Sequence, residues 1–273
     1  MLGVGSMGGA ILAGLRAQQE LLAEPVSVTT YSAESTAAYR DVDDVIARAT
    51  VSEPDANRLA VRGAKVVILA VKPWAILDLL DEIAHELEPD AIVVSVAAGV
   101  TAASMEATLP RGIAVVRAMP NTPSHVGLGM TGIAPGRSAS AADVETVARV
   151  FATVGEVLVV REDQINAVTA VSGSGPAYLF FFVEQLAAAA ERAGFDAQQA
   201  TKLAEQTVIG AAELMRRSDQ TPAELRRGVT SPKGTTEQAI LVLQDAGLDD
   251  ALDRAFAANI HRSEELEEEN SAG

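Results

Sequence analysis

The sequence predicts a two-domain α/β protein, with a doubly wound, mostly parallel sheet over residues 1–161 and an all-helical domain over residues 162–273. Short apolar runs alternate with helical segments as far as Arg161, and strand patterns stop from Asp163 onward. A glycine-rich motif opens the chain. The 273 residues are enough for two hydrophobic cores.

The composition restricts the partners of this protein. Hydrophobic residues make up 48% and aromatic residues 4%, which predicts an aliphatic core. The net charge of −16 repels nucleic acids and anionic membranes, so we expect a small-molecule or protein partner. The chain has no cysteine, which excludes disulfides and a thiol nucleophile. No secretion signal or long apolar run is visible, and we therefore predict a cytoplasmic location.

The opening motif, Gly3-Val4-Gly5-Ser6-Met7-Gly8, fits the GxGxxG pattern and runs into small and apolar residues typical of a helix. This pattern cradles a dinucleotide pyrophosphate when a strand precedes it and a helix follows. Only Met1 and Leu2 precede it here. We expect most of the first strand to be missing because the chain starts further upstream. The alternative is a two-residue segment that closes the middle of the sheet and leaves a gap in its hydrogen-bond ladder.

The next strand indicates which dinucleotide is bound. Val26–Tyr31 is a β-branched run, and an NAD-binding domain would end it in an acidic residue that bonds the ribose. Here the end offers hydroxyls from Thr30, Tyr31 and Ser32, with Arg40 further on. This arrangement suits a 2′-phosphate and favours NADP(H), with NAD(H) as the alternative.

Three further strands predict a crevice beside the glycine motif. The strands are Lys65–Val71, Ala91–Val96 and Ile113–Arg117, separated by helices at Trp74–Leu87 and Thr101–Leu109. Because parallel strands end at the same sheet edge, the loops that follow them should line one binding site. Those loops are Ala70–Pro73, Ala97–Gly99 and Met119–Asn121.

The rest of the sheet domain has strands at Met130–Ile133 and Glu156–Val160 around a helix at Asp143–Val154. We predict that the acidic run Glu264–Glu269 and residues 270–273 form a solvated, fraying end. The helices predicted for the second domain are Pro176–Ala193, Asp196–Arg217, Pro222–Arg227, Thr235–Asp245 and Leu248–Glu268.

Two glycine-containing turns open helices in the second domain. Ser172-Gly173-Ser174-Gly175 precedes a helix that starts at Pro176, and bare backbone there could approach a small anion or serve as a flexible linker. In the second turn, Val229–Thr236, Thr235 or Thr236 is expected to cap the helix. Ordinary capping explains one such turn, whereas two favour an anion site.

The chain resembles the pyrroline-5-carboxylate reductase family over nearly its whole length. The resemblance implies an N-terminal Rossmann domain, a helical dimerisation domain, and a homodimer or larger homo-oligomer with active sites where the domains join. Besides the glycine motif, it rests on Ala70-Val71-Lys72-Pro73, Ala97-Ala98-Gly99-Val100-Thr101, Arg117-Ala118-Met119-Pro120-Asn121-Thr122-Pro123, Ala170-Val171-Ser172-Gly173-Ser174-Gly175-Pro176-Ala177-Tyr178 and Thr230-Ser231-Pro232-Lys233-Gly234-Thr235-Thr236.

The resemblance also implies roles for individual residues. A cyclic imino acid would bind by its carboxylate between the two turns, at Ser174, Gly175, Ser231, Gly234, Thr235 and Thr236. The cofactor would contact Gly3, Val4, Gly5, Ser6, Met7, Gly8, Ser32, Asn57, Ala70, Val71, Lys72, Pro73, Ala97, Met119 and Asn121.

The implied reaction is hydride transfer from a reduced nicotinamide to the C=N carbon of 1-pyrroline-5-carboxylate, which yields L-proline in the last step of proline synthesis. Thr236 is the candidate catalytic residue, because its hydroxyl could bond the ring nitrogen. Lys233 departs from the family pattern, which has glycine there. This lysine would either crowd the turn or place a cation beside the carboxylate.

Two alternatives and the histidines complete the sequence-based interpretation. A β-hydroxyacid-dehydrogenase-like oxidoreductase would need a lysine in the helix after the glycine turn, where this chain has Pro-Ala-Tyr-Leu-Phe-Phe-Phe-Val. A non-catalytic, Rossmann-type oligomeric module is the other alternative.

His85, His125 and His261 are predicted to be surface or structural residues, and no metal site is predicted.

Overall fold

The computed structural model describes residues 1–271, which divide into two compact units. The first contains Met1–Ser174 together with the chain from Ala258 onward, and the second is Gly175–Ala257. The chain therefore leaves the first unit at Ser174 and returns to it within its last helix. Within the described residues, no helix has both the length and the apolar composition needed to cross a membrane.

The first unit is a doubly wound sheet with helices on both faces. Its strands are β1 (Val26–Thr30), β2 (Val45–Ala49), β3 (Val66–Leu69), β4 (Ile92–Ser95), β5 (Ala114–Met119), β6 (Gly129–Pro135) and β7 (Gly155–Val159). Its helices are α1 (Ser6–Ala17), α2 (Ala33–Ala37), α3 (Ala56–Val61), α4 (Ile76–Ile83), α5 (Ala102–Thr108), α6 (Ala141–Ala152) and α7 (Ile165–Val168). The pairing is parallel except between β5 and β6, as the predicted mostly parallel sheet requires.

Alternation along the strands explains why helices cover both faces. In β3, Val67 and Leu69 point into a core that contains Ile76 and Leu80 of α4, whereas Ile68 points to the opposite face, where Ile11 of α1 lies. Successive strand side chains point to opposite sides, so a run of consecutive apolar residues needs cover on both.

Met1 and Leu2 lie between β1 and β3, where the missing first strand was expected. Leu2 is fully buried and forms parallel bridges to Thr29 and Leu69. Its N–H donates to Ile68 O at 2.8 Å, and its carbonyl accepts from Ala70 N at 2.8 Å. The two residues therefore continue the hydrogen-bond ladder between β1 and β3, where a two-residue segment was expected to leave a gap.

Sequence patterns missed β2, α2 and α3, which lie between the first two predicted strands. These elements are five or six residues long, too short for a clear period to emerge. The predicted helix Trp74–Leu87 is also divided, with 3₁₀ turns at Pro73–Ala75 and Ala84–Glu86 around α4.

The second unit is helical, as predicted. It contains α8 (Gly175–Arg192), α9 (Ala197–Arg217), α10 (Pro222–Gly228), α11 (Thr235–Asp245) and the first part of α12 (Leu248–Ser271). All of its residues are described, and among them only Ala200 and Ala204 are buried. Large apolar side chains are exposed instead, including Phe181 at 62% and Val242 at 68%.

The acidic C-terminal segment is helical and anchored, so the expected fraying was wrong for the residues described, although Glu264, Glu268 and Glu269 are exposed as expected. Asn270 donates to the carbonyl of Gly99 at 2.9 Å, and Glu267 accepts from Arg117 at 2.9 Å. Arg117 is a cation in the sheet core with 4% exposure, and its positive charge attracts the carboxylate of Glu267. Ala272 and Gly273 lie outside the described residues.

Candidate active site

The glycine motif forms a tight turn between Leu2 and α1. Gly3 has a φ of +82°, and a Cβ there would lie 2.5 Å from Val71 Cγ1 and 3.0 Å from Val71 N. A side chain at position 3 would therefore separate the turn from the Ala70–Pro73 loop. The glycine motif and the Ala70–Pro73 loop therefore lie together, as the sequence predicted.

The motif has an open side suited to an anion. Apart from Gly5 itself and its two chain neighbours, no described residue has an atom within 4 Å of a Cβ built on Gly5, the residue that precedes α1. Among the described residues, no side chain caps this helix, so its first-turn N–H groups remain available. A pyrophosphate at this position would meet unpaired N–H donors and the positive end of the helix dipole. The residues present thus fit a dinucleotide cofactor.

Residues predicted to lie near the nicotinamide converge at the ends of β4 and β5. Ala97 is 8% exposed and follows β4, and its N–H donates to Ser95 Oγ. Asn121 is held on both sides, since its Oδ1 accepts from Met130 N at 2.9 Å and its Nδ2 donates to Ser172 O at 3.0 Å. The Met119–Asn121 loop is thereby connected to the Ser172–Gly175 segment.

Ser172 and Gly173 lie in a helical turn, Ser174 follows it and Gly175 begins α8, which corrects both the open-turn and the linker interpretations of this backbone. Thr169–Gly173 forms a π-helix between α7 and α8, and Ser174 N donates to Thr169 O at 2.8 Å. That amide is consequently engaged within the helix. A Cβ on Gly173 would lie 2.8 Å from Met119 Cε, so the missing side chain permits close packing against β5. Single π-turns within helices are frequent at functional sites.

The side-chain hydroxyl of Ser174 makes a contact of its own, separate from that of its amide. Its Oγ accepts a hydrogen bond from Asn259 Nδ2 of α12 at 2.8 Å. Sequence reasoning missed Asn259, and a separation of 85 residues leaves no local signal that could have revealed it.

The proposed 2′-phosphate region is rich in hydroxyl groups, but these are not equivalent. Thr30 is 3% exposed and bonds Thr36 Oγ1 at 2.6 Å, so its hydroxyl is engaged inside the fold. Ser32 Oγ pairs with Ser35 Oγ at 3.0 Å and accepts from Ser35 N. Ser35 was missed by sequence reasoning, although its position three residues after Ser32 is a typical capping spacing.

Asn57 lies in α3 and is engaged with a neighbouring helix. Its Nδ2 donates to Glu82 Oε2 of α4 at 3.1 Å. This contact orients the amide, and the predicted role of Asn57 in holding the cofactor ribose stays a prediction.

The second turn begins α11. Gly234 is the N-cap, and Thr235 and Thr236 are the first two helical residues, so the prediction that one of the threonines caps the helix was wrong. No side chain of the described residues caps the start of α11. The first-turn N–H groups are therefore available, and an 11-residue helix directs its dipole toward them.

Lys233 has the only positive φ of a non-glycine residue in the described part of the chain, at 60°. Its side chain is exposed and its N–H donates to Glu237 Oε2 at 2.7 Å. Lys233 therefore adopts the left-handed conformation that this turn requires, and this conformation is unfavourable for residues with a Cβ.

We predict that Lys233→Gly raises the free energy of unfolding by about 1 kcal/mol, because glycine adopts this conformation without a steric penalty. Urea denaturation at fixed protein concentration measures the change. Lys233→Ala is the control, since it removes the ammonium but keeps the Cβ and should give no increase. An equal increase in both variants would show that charge, not backbone strain, is the cause.

The fold and the site define an NAD(P)-dependent oxidoreductase with a Rossmann-type first unit and a helical second unit. The chain matches the family described as pyrroline-5-carboxylate reductase dimerisation over residues 162–266, and the coenzyme F420-dependent NADP oxidoreductase family over residues 1–99. It is 39% identical to the pyrroline-5-carboxylate reductase of Pseudomonas aeruginosa, over 98% of this chain and 96% of the relative. The chain belongs to the pyrroline-5-carboxylate reductase family.

Other relatives agree with this assignment. The Escherichia coli pyrroline-5-carboxylate reductase is 37% identical, over 97% of this chain and 96% of that protein. The solved structure of a pyrroline-5-carboxylate reductase from Coxiella burnetii has a TM-score of 0.88 at 37% identity, covering 97% of this chain and 96% of that chain. The Plasmodium falciparum pyrroline carboxylate reductase, solved with NADP bound, has a TM-score of 0.78 at 24% identity, with the same coverage, and supports the fold.

Proposed function

We propose that this protein reduces 1-pyrroline-5-carboxylate to L-proline with NADPH. The observation that carries the proposal is the uncapped glycine cradle beside Val71, in a chain that belongs to this family along its whole length. When bound, the nicotinamide supplies the hydride. The protein's own task is to bind, orient and shield the imine.

The substrate carboxylate is proposed to bind at the start of α11. The N–H groups of Thr235 and Thr236 lie in the first helical turn, and Gly234 leaves the approach free of a side chain. Backbone donors and the helix dipole stabilise an anion there, which matters in a protein with a net charge of −16. Ser231 in the same turn, and Ser174 and Gly175 at the start of α8, complete the proposed set of substrate contacts.

Thr236 is the proposed catalytic residue. Its hydroxyl would hydrogen-bond the ring nitrogen and keep the C=N carbon oriented for the hydride. The imine would react with its nitrogen already protonated, so that hydride addition to the carbon completes the reduction. Neither a metal ion nor a strong general acid is part of this proposal.

The direct test is oxidation of NADPH, followed at 340 nm, with and without 1-pyrroline-5-carboxylate. We expect oxidation only when the imine is present, with L-proline as the product by chromatography. NADH in a parallel assay measures cofactor preference, which the Ser32–Ser35 hydroxyl pair is proposed to shift toward NADPH. Binding of NADPH without turnover of the imine would contradict the proposed function.

For Thr236→Ala we predict a fall in kcat/KM for the imine of at least about tenfold, equivalent to roughly 1.4 kcal/mol. Thr236→Ser is the matched variant, because it keeps the hydroxyl and should retain most of the activity. NADPH binding should be unchanged in both variants. A loss below about threefold in Thr236→Ala would remove Thr236 from this role.

A homodimer or larger homo-oligomer is also part of the proposal. The second unit buries only two alanines among its residues, all of which are described, while Phe180, Phe181 and Phe182 of α8 are 49–62% exposed. Three consecutive phenylalanines point to different sides of a helix, and a helix that is apolar all round requires cover. The match of residues 162–266 to a dimerisation family supports a second copy as that cover.

We predict that Phe181→Glu raises the dimer dissociation constant at least about tenfold, because a charge would have to be buried without a partner. Sedimentation velocity over a dilution series measures the shift. Ala142→Glu, at an exposed position of α6 in the first unit, is the control and should sediment like the unmodified protein. If both variants stay fully dimeric, Phe181 does not contribute to the interface.

A cytoplasmic location remains part of the proposal, testable by cell fractionation.

A further inference from the structure

One histidine is located beside the cofactor cradle although the sequence placed it outside any site. His125 Nε2 lies 2.9 Å from Ser6 Oγ, across 119 residues of sequence. Ser6 directly follows Gly5, the glycine with open space around it, and is the first residue of α1. The Ser6 hydroxyl is therefore at the edge of the space assigned to the pyrophosphate.

The segment that carries His125 is held firmly. It forms a 3₁₀ turn over Thr122–Val126, which Asn121 precedes and Gly127 ends in the left-handed conformation. Gly127 N donates to Ser124 O, and Leu128 N donates to Pro123 O. The side chain of Asn121 adds bonds to Met130 N and Ser172 O. These bonds fix the backbone on both sides of His125, whose exposed side chain lies opposite Ser6.

We propose that His125 is a positioning residue for the cofactor pyrophosphate, whose Nε2–H donates to Ser6 Oγ. A serine hydroxyl has one proton and two lone pairs. When the imidazole donates to the oxygen, the Ser6 proton stays free to donate to a phosphate oxygen. The opposite polarity would direct this proton at the imidazole and present only lone pairs to the anion. This inference rests on the proposed function, since it assumes a dinucleotide in the cradle.

The test uses four variants and the affinity for NADPH, measured by fluorescence titration of the full-length protein. His125→Leu fills a similar volume without a donor, and His125→Gln places an amide N–H₂ close to the position of Nε2. Ser6→Ala removes the hydroxyl, and the His125→Leu/Ser6→Ala double variant tests coupling. His85→Leu, at an exposed histidine in the 3₁₀ turn after α4, is the matched control.

We expect His125→Leu and Ser6→Ala each to weaken NADPH binding about fivefold to tenfold, as for the net loss of one hydrogen bond. His125→Gln and His85→Leu should stay within about twofold of the unmodified protein, and the double variant should bind no more weakly than Ser6→Ala. The loss should appear in the KM for NADPH rather than in the KM for the imine.

Three results would overturn the inference: normal NADPH affinity in His125→Leu, equal losses in the Leu and Gln variants, or additive losses in the double variant. The unmodified protein, measured first, separates this inference from the proposed function. If it neither binds NADPH nor reduces the imine, the proposed function is wrong. If it does both and His125→Leu is normal, only the role of His125 is wrong.

Discussion

Gly3→Ala is expected to weaken NADPH binding about a hundredfold, equivalent to roughly 2.7 kcal/mol. The new Cβ would lie 2.5 Å from Val71 Cγ1 and close to two backbone atoms, Val71 N at 3.0 Å and Ala70 C at 3.1 Å. The φ of +82° adds strain that no rotamer change can relieve. The turn must therefore move, which displaces the N–H groups proposed to hold the pyrophosphate.

Two neighbouring glycines provide matched comparisons for this measurement. Gly5→Ala should leave thermal stability unchanged, because no described atom outside Gly5 and its two chain neighbours lies within 4 Å of its Cβ, yet it should weaken NADPH binding by filling the open space. Gly9→Ala meets Tyr39 Oη at an ordinary 3.8 Å and should bind NADPH normally. If Gly3→Ala binds NADPH as well as Gly9→Ala does, the cradle is not the pyrophosphate site.

Arg117→Met is expected to lower the free energy of unfolding by about 3 kcal/mol. Arg117 is 4% exposed, and its Nη1 donates to Glu162 Oε1 and to Glu267 Oε1, both at 2.9 Å. Glu162 Oε1 also accepts from Ala102 N, and Glu267 Oε2 accepts from Asn166 Nδ2. Removing the cation leaves two partly buried carboxylates facing each other, because methionine replaces the volume but not the charge.

Urea denaturation measures this loss, and hydrogen exchange locates it. We expect faster exchange at the C-terminal end of α12, which Glu267 anchors. A triple variant, Arg117→Met with Glu162→Gln and Glu267→Gln, is the control, because it removes the repulsion along with the cation and should recover much of the stability. A loss below about 1 kcal/mol in Arg117→Met would show that this cluster contributes little to stability.

Local patterns predicted most of the sheet domain because its buried strands are continuous apolar runs that end in turn residues. The runs at Lys65–Val71 and Ala91–Val96 contain β3 and β4, and the glycine motif forms the predicted turn. The short elements β2, α2 and α3 did not emerge, because stretches of five or six residues carry too little periodicity. The two glycine-containing segments that precede α8 and α11 were located in sequence, but their caps and the π-turn depend on hydrogen bonds between particular backbone groups.

The sequence by itself determined the two-domain organisation, the order of the longer elements, the cofactor class and the family, because periodicity, turn residues and motif spacing are properties of neighbours along the chain. Tertiary structure alone decided which distant groups meet. It joined His125 to Ser6, Asn121 to Ser172 and Arg117 to Glu267 across 51 to 150 residues. Such pairs are selected by burial and hydrogen-bond satisfaction in the folded chain, which leave no periodic trace in the sequence.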